Sequence, residues 1–562
     1  MNYYFKKSIY TLVLSLLILV AVNFIANKFF LRWDLTAEKR YTLTPATKKL
    51  LSNLKQNVEI DVYLEGKDLP AGMKRLKKET RELLQEFRSY SNGNITYKFI
   101  DVNTIKKDKE KKIEELVQKG VKPINLEVNT NSGFMEKLIF PGAILKANGR
   151  EIPIQILENQ FTFGAQGSID NSINFLEYKL ANAVQKLIKK TPPRIAFLQG
   201  HDELPFEKLQ DIVNTLTLQN FEVGVIDIAK EPLFKNNIDI LIIAKPRIAF
   251  LDEEKFLIDQ FIMHGGKVIW LMDNHTADLQ NFQQSPTYLA TPLELNIEDI
   301  LFRYGVRINY DLALDLYCTQ IPIIETVGGN PQPKLFPWVF YPLAVSRNNH
   351  PIVKNIDPIW FRFSSSIDVL KNPNINPTIL AATSTYSRTQ ALPFEIYLLG
   401  AKQKPNPNLF NRKDVVLATL LEGDFTSLFL NQYTSDLQSL LDKQGIEFRG
   451  KSYKNKMIVI ADGDVIANDL DSKGSVIPLG YDRYGQQQYA NKDFILNCVE
   501  YLVDDNNLIE ARNREVKMRL LDKAQLTEKK ELWQFLNFAI PVFFISIFGY
   551  IYFKQRQRKY AK

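Results

Sequence analysis

The chain has 562 residues, room for three to four domains at roughly 150 residues each. Its 36 Phe and 24 Tyr exclude a disordered chain, its two Cys exclude a disulfide scaffold or a four-cysteine zinc site, and a mean hydropathy of −0.18 excludes a polytopic membrane protein. Of the formal +8 charge, seven units sit at the extremities (Lys6, Lys7, Lys554, Arg556, Arg558, Lys559 and Lys562), so the stretch between is nearly neutral and no nucleic-acid surface is expected.

Residues 1–30 read as a cytoplasmic tip and a first transmembrane helix. Ile9 to Ala26 carries no charge, which is close to the length a helix needs to cross hydrocarbon. An uncleaved anchor fits better than a signal peptide, because no small-x-small site follows the apolar run.

Residues 31–165 read as a first α/β domain. Thr44-Pro45 suits a helix start, with Thr as N-cap and Pro at the first helical position. Val58 to Leu64 alternates like a strand, Met73 to Tyr90 is a charged amphipathic helix, and Ile95 to Val102 is strand-like again. A Lys-rich helix runs to Lys119. Leu138 to Leu157 reads as a hairpin, with Asn148-Gly149 forming a type I′ turn.

Residues 166–320 read as a Rossmann-like α/β domain. A helix from Ile169 to Lys190 ends at Thr191-Pro192-Pro193, a natural break. Then come strand Arg194–Leu198, helix Glu203–Gln219, apolar strands Glu222–Ile228 and Asp239–Ile243, helix Asp252–His264 and strand Lys267–Met272. Such continuous Ile/Val/Leu strands imply burial on both faces, hence a mostly parallel sheet flanked by helices. Residues 321–410 are Pro-rich and read as an irregular β-rich insertion. Residues 411–505 return to helix and strand signals (Ser435–Gln444, Lys456–Ile460, Asn491–Val503) that complete the α/β domain.

Residues 506–532 form a helical connector, and 533–553 a second transmembrane helix, WQFLNFAIPVFFISIFGYIYF, with Trp533, Tyr550 and Tyr552 at interfacial positions. Residues 554–562 are a basic tail. Lys/Arg beside the spans places both termini in the cytoplasm and the large middle segment in the periplasm of an inner-membrane protein.

Gly445-Ile-Glu-Phe-Arg-Gly450-Lys451-Ser452 matches the phosphate-loop pattern letter for letter. That loop needs a strand before it and a helix after it, so that N–H groups converge on phosphate. Here the order is inverted, and the match reads as chance, with Gly445 ending a helix. Gly200-His201-Asp202-Glu203 follows a strand, where open α/β sheets bind ligands. His201, Asp202 and Glu203 are therefore ligand-binding candidates. The plainer reading makes Asp202 a helix cap and Glu203 a partner of the helix dipole. Asp273 follows another strand and is the fourth candidate. Its chain neighbours His264 and His275 lie at opposite ends of that strand and cannot share a metal through the local chain; Asp273 and His275 could, but an ordinary polar loop is the plainer reading. Asp462-Gly463-Asp464 reads as a turn. Cys318 and Cys498 lie on a strand-like run and an apolar helix, not at a nucleophile elbow. No metal site, cofactor site or catalytic set is expected.

Several blocks resemble the GldG family of gliding-motility auxiliary proteins of Bacteroidetes-type bacteria. They are RWDLTAEKRYTLTP (from Arg32), FLQGHDELPF (from Phe197), LDEEKFLIDQFIMHGGKVIWLMD (from Leu251), IVIADGDVIAND (from Ile458), NKDFILNCVEYLVDD (from Asn491) and LLDKAQLTEKKELWQFLNFAIP (from Leu520). The resemblance implies a membrane-anchored auxiliary subunit of substrate-binding type. Its partners would be a separate ABC permease and ATPase, with a periplasmic or envelope partner besides. It also implies a glutamine-amidotransferase-like central fold. Those amidotransferases carry a Cys nucleophile where this chain has Gly200-His201, so the fold is expected without the chemistry. Two other readings compete: a periplasmic hydrolase or metal-dependent enzyme using His201, Asp202 and Glu203, and a ligand-free envelope scaffold.

Overall fold

The computed structural model describes residues 10, 12–20, 42–66, 69–105, 108–130, 133–158, 160–327, 330–346, 348–504, 506–513 and 530–560. The chain forms two compact units, residues 1–514 and 515–562.

In the first unit, Thr44 caps helix Pro45–Ser52 by accepting a hydrogen bond from the Thr47 N–H, and Pro45 opens the first turn. Strands β1 (Val58–Val62), β2 (Ile95–Phe99), β3 (Ile124–Thr130), β4 (Gly133–Ile139), β5 (Gly142–Ala147) and β6 (Arg150–Gln155) follow. A four-stranded sheet in the order β2-β1-β5-β6 is parallel between β1 and β2 and antiparallel elsewhere, while β3 and β4 pair separately. The expected hairpin is present. Asn148 (φ 52°) and Gly149 (φ 73°) both have positive φ, as a type I′ turn demands. Helices Ala71–Tyr90 and Gly164–Ile188 cover one face. In the second of these, Leu176, Leu180, Val184 and Leu187 recur at helical spacing and are buried.

Strands β7 (Arg194–Leu198), β8 (Glu222–Ile226), β9 (Ile240–Ala244) and β10 (Lys267–Leu271) build a seven-stranded sheet with Ile375–Ala382, Val416–Gly423 and Asn455–Ile460. From one edge the order is Ile375–Ala382, Val416–Gly423, Asn455–Ile460, β10, β9, β7, β8. The last five are mutually parallel, and Val416–Gly423 runs antiparallel to both of its neighbours. Every residue of β9 is buried, because helices lie on both faces and leave no solvent side. The chain leaves β7 for β8 on one side and leaves β9 for β10 on the other. The carboxyl ends of β7 and β9 therefore flank the topological switch point.

The Pro-rich stretch is strand-rich. Cys318–Val327 and Asn330–Ala344 form a long hairpin, and Asp311–Asp315 pairs with Ser387–Ala391. Trp338, Phe340, Tyr341 and Phe363 give it an aromatic core of its own. Ile375–Ala382 within that stretch already belongs to the main sheet as its edge strand.

The second unit contributes helix Lys530–Tyr560, whose segment Lys530–Arg558 is long and apolar enough to cross a membrane. At 1.5 Å per residue its 31 residues extend about 46 Å. Phe538, Ile545 and Phe548 on it are more than 70% exposed, as lipid-facing side chains would be. Of the first expected span, Tyr10 and residues 12–20 are helical with exposed side chains, and the rest lies outside the described residues. Residues 508–513 of the expected connector form a 3₁₀ segment, and 514–529 lie outside the described residues.

Candidate functional site

Parallel strands deliver their carboxyl ends to one edge of the sheet, and four loops meet there. The loop after β7 turns at Gly200 (φ 125°), a conformation that favours glycine. The loop after β9 turns at Lys245, which holds a left-handed φ of 59°. Backbone bonds tie these loops together: Leu204 N–H donates to Ala244 O (3.0 Å), and Arg247 and Ile248 N–H both donate to His201 O (2.7 and 3.0 Å). Asp273 follows β10, and Asp462-Gly463-Asp464 follows Asn455–Ile460. Gly463 is required by proximity. A Cβ there would lie 2.4 Å from the Cβ of Lys245.

Above these loops lies a cleft of about 770 Å³, walled on the far side by Tyr341, Trp360 and Arg362 from the strand-rich stretch. Its floor is charged. The Lys245 ammonium, 5% exposed, lies 2.6 Å from Asp464, 3.1 Å from Asp278 and 3.5 Å from Asp273. Burial opposes its charge, but Asp464, Asp273 and Asp278 together raise its pKa above the ordinary lysine value. Arg362 grips Asp469 with two parallel bonds (3.0 and 2.8 Å) and lies 4.0 Å over the Trp360 ring. Asp462 is fully buried. Its oxygens accept from the N–H groups of Arg362 (2.5 Å) and Asp464 (2.7 Å). Burial, with Asp273 and Asp464 adding repulsion, pushes its carboxyl well above the usual range.

The four candidates read from sequence divide between the lining and the wall behind it. Asp202 and Glu203 line the cleft. His201 and Asp273 are buried beneath its surface. The His201 ring stacks on Phe250 with centroids 3.9 Å apart, meets Glu254 through Nε2 (2.9 Å), and has Glu203 3.3 Å from Nδ1. Burial pulls its pKa down, but Glu203 and Glu254 outweigh that and raise it. Asp273 accepts from Gly463 N–H (2.7 Å). The expected helix cap fails. Asp202 sits in the left-handed region (φ 56°), the helix begins at Phe206 behind Pro205, and the Glu203 carboxylate accepts from His201 N–H (2.8 Å). The Leu204-Pro205 dipeptide extends the chain and delays the helix.

The phosphate-loop letters sit in a different context from the one that binds phosphate. Gly445 (φ 73°) ends helix Ser435–Gln444, Lys451 pairs with Thr426 in a β-bridge, and Ser452 is buried beside Phe425, with a strand next. His264 bonds Glu447 O and His275 bonds Phe363 O, each through Nε2. Among the described residues, no group of three or more His, Cys, Asp or Glu could hold a metal ion.

Sequence reading overlooked Lys245, Arg247, Asp278, Arg362 and Asp469. One signal was available: Lys245-Pro246-Arg247 follows ILIIA directly, the place relative to its strand that Gln199-Gly200-His201 holds after RIAFL.

A family model described as an ABC-type uncharacterized transport system matches residues 192–498, which span this sheet and cleft. A model of a domain of unknown function matches residues 37–146. An uncharacterized protein of Borreliella burgdorferi is 22% identical over 559 residues, covering 98% of this chain and 97% of the relative. Two solved structures overlap weakly. The mmIFT52 N-terminal domain has a TM-score of 0.29 and 12% identity over 55% of this chain and 97% of its own. The exo-β-1,4-mannosidase of Opitutaceae bacterium strain TAV5 has a TM-score of 0.24 and 11% identity over 60% of this chain and 40% of its own. At these scores neither overlap carries an argument.

Proposed function

The chain belongs to the ABC-type uncharacterized transport system family of auxiliary proteins, and from that premise we propose that it is the membrane-anchored, non-catalytic subunit of such a system, presenting its cleft outside the cytoplasm. The observation that carries this reading is the joint presence of the family segment, residues 192–498, and an apolar helix of membrane length, Lys530–Arg558. The KQRQRK segment after that helix favours a cytoplasmic C-terminus, and Lys6-Lys7 favours the same side for the N-terminus across a second span. The bulk of the chain is then periplasmic and Rossmann-like.

Energy comes from a separate ATPase. The segment Gly445 to Ser452 offers no helix N-terminus to phosphate, so it does not serve as a nucleotide loop. The resemblance to gliding-motility auxiliary proteins supports motility as the process served. A hydrolytic role for His201 is disfavoured by its ring, which is already engaged by Glu254 and covered by Phe250.

Purification of the full chain in mild detergent, followed by mass spectrometry, tests the reading. A permease and an ATPase are expected to co-purify. A chain that comes out alone, or that hydrolyses ATP by itself, removes the proposal. A reporter fused near residue 300 checks the topology, and cytoplasmic activity of that fusion overturns the periplasmic placement. Unaltered movement of a deletion strain removes the motility link.

A further inference from the structure

The cleft contains spent and unspent charges. Lys245 is surrounded by Asp464, Asp278 and Asp273, and Arg362 is held by two short bonds to Asp469. Those contacts also engage Asp464, Asp278 and Asp469 among the carboxylates that line the cleft. Arg247 differs. Its guanidinium is 24% exposed and lines the cleft, and its two hydrogen bonds, to Asp278 and to His275 O, are both 3.5 Å long. A guanidinium offers five N–H donors, and bonds of that length use them poorly.

The mount beneath this head is rigid. Arg247 follows Pro246, and its N–H donates to His201 O at 2.7 Å, fixing it to the loop after β7 at the switch point. Helix Phe206–Leu218 starts at the same rim with no side chain capping its first N–H groups. Its Lys208 lines the cleft with only a 3.9 Å contact to Asp469. Asp202 is exposed at the rim, where water screens it. A volume of about 770 Å³ is that of a pocket for an organic molecule, not for a bare ion.

We infer that this cleft binds a small organic anion, its carboxylate or phosphate held by the Arg247 fork with Lys208 and the uncapped helix start in support. Ile321 and Trp360 supply the wall for the remainder of the ligand. This rests on the cleft being the ligand site of the transport subunit.

Calorimetric titration of the detergent-solubilised full chain tests it, using phenyl phosphate, benzoate, inorganic phosphate, phenol and benzylamine as probes. Saturable binding of phenyl phosphate or benzoate, with none of phenol or benzylamine, is expected, and whichever anion binds tighter identifies the head group. Arg247→Met should weaken that binding about 10- to 100-fold, the effect of losing a charge-assisted pair, and Arg247→Lys should restore only part of it. Asp278→Asn, which removes the competing carboxylate, should tighten it. No binding of either anion, binding of benzylamine instead, or unchanged affinity in Arg247→Met overturns the inference. If Arg247→Met fails to fold, Asp278→Asn decides, and weaker anion binding there overturns it too. Arg247→Met should still co-purify with a permease, so failure of the transport reading and failure of this one appear in different experiments.

Discussion

Lys245 and Lys186 are both buried ammonium groups, 5% and 7% exposed, yet their surroundings differ. Lys186, on helix Gly164–Ile188, faces a single carboxylate, Glu500 on helix Asn491–Val503, at 2.6 Å. Glu500 also accepts from Tyr178 OH at 2.5 Å, and Arg512 covers the Phe175 and Tyr178 rings. Burial pushes the Glu500 carboxyl up, but Lys186, Tyr178 and Arg512 outweigh it and hold its pKa below the ordinary value. The pair is balanced and joins two helices and the 3₁₀ segment Leu508–Asn513. Around Lys245, three carboxylates from loops after two neighbouring strands face one ammonium beneath an open cleft, and the Asp273 Oδ2 atom has no hydrogen-bond partner. Balanced charge closes an interface between elements. Around Lys245 the buried carboxylates are incompletely compensated, which costs stability, and anion binding is left to Arg247 at the rim.

Removing one member of each cluster tests that contrast. Lys245→Met leaves buried carboxylates uncompensated and should cost about 3–5 kcal/mol by chemical denaturation of the full chain, with anion binding lost as the floor rearranges. Glu500→Gln should cost about 3 kcal/mol by leaving Lys186 unpaired, yet leave anion affinity unchanged. Because the folded pKa of Glu500 is depressed, its stabilisation is present above the unfolded value near about 4.3 and is lost as pH falls through the lower folded value. The deficit of the Gln variant should therefore shrink in acid. Anion binding that changes in Glu500→Gln would erase the distinction between the clusters.

Gly463→Ala puts a methyl 2.4 Å from the Lys245 Cβ and 2.9 Å from its Cα. It should cost about 1–3 kcal/mol and weaken anion binding. His201→Gln is the mildest, at about 1 kcal/mol. The folded pKa of His201 is raised, so its stabilisation is full below the unfolded value near about 6.5 and is lost as pH rises through the folded value. The gap between wild type and variant, followed by thermal unfolding, should narrow as pH rises above the unfolded histidine value of about 6.5.

Legibility in the sequence followed the range of the forces involved. Strand Arg194–Leu198 and helices Ser435–Gln444 and Asn491–Val503 fall where apolar spacing puts them, because burial acts on each residue according to its own side chain. The Asn148-Gly149 turn was legible for the same reason, since positive φ at two adjacent positions is a local demand. The helix start at Phe206 was not, because Pro205 and the bond from His201 N–H to Glu203 displaced the expected Asp202 cap.

The order of residues alone was enough for the apolar strands, their burial on both faces and a membrane-length helix over 533–553, which lies within the helical segment Lys530–Arg558. It also placed His201, Asp202, Glu203 and Asp273 at strand ends. Folding in three dimensions settled which of these face the cleft and which lie behind it, and it brought Lys245 to Asp464, 219 residues away, and Arg362 to Asp469, 107 residues away. Charge pairing is set by distance in space, and no periodicity along the chain encodes that distance.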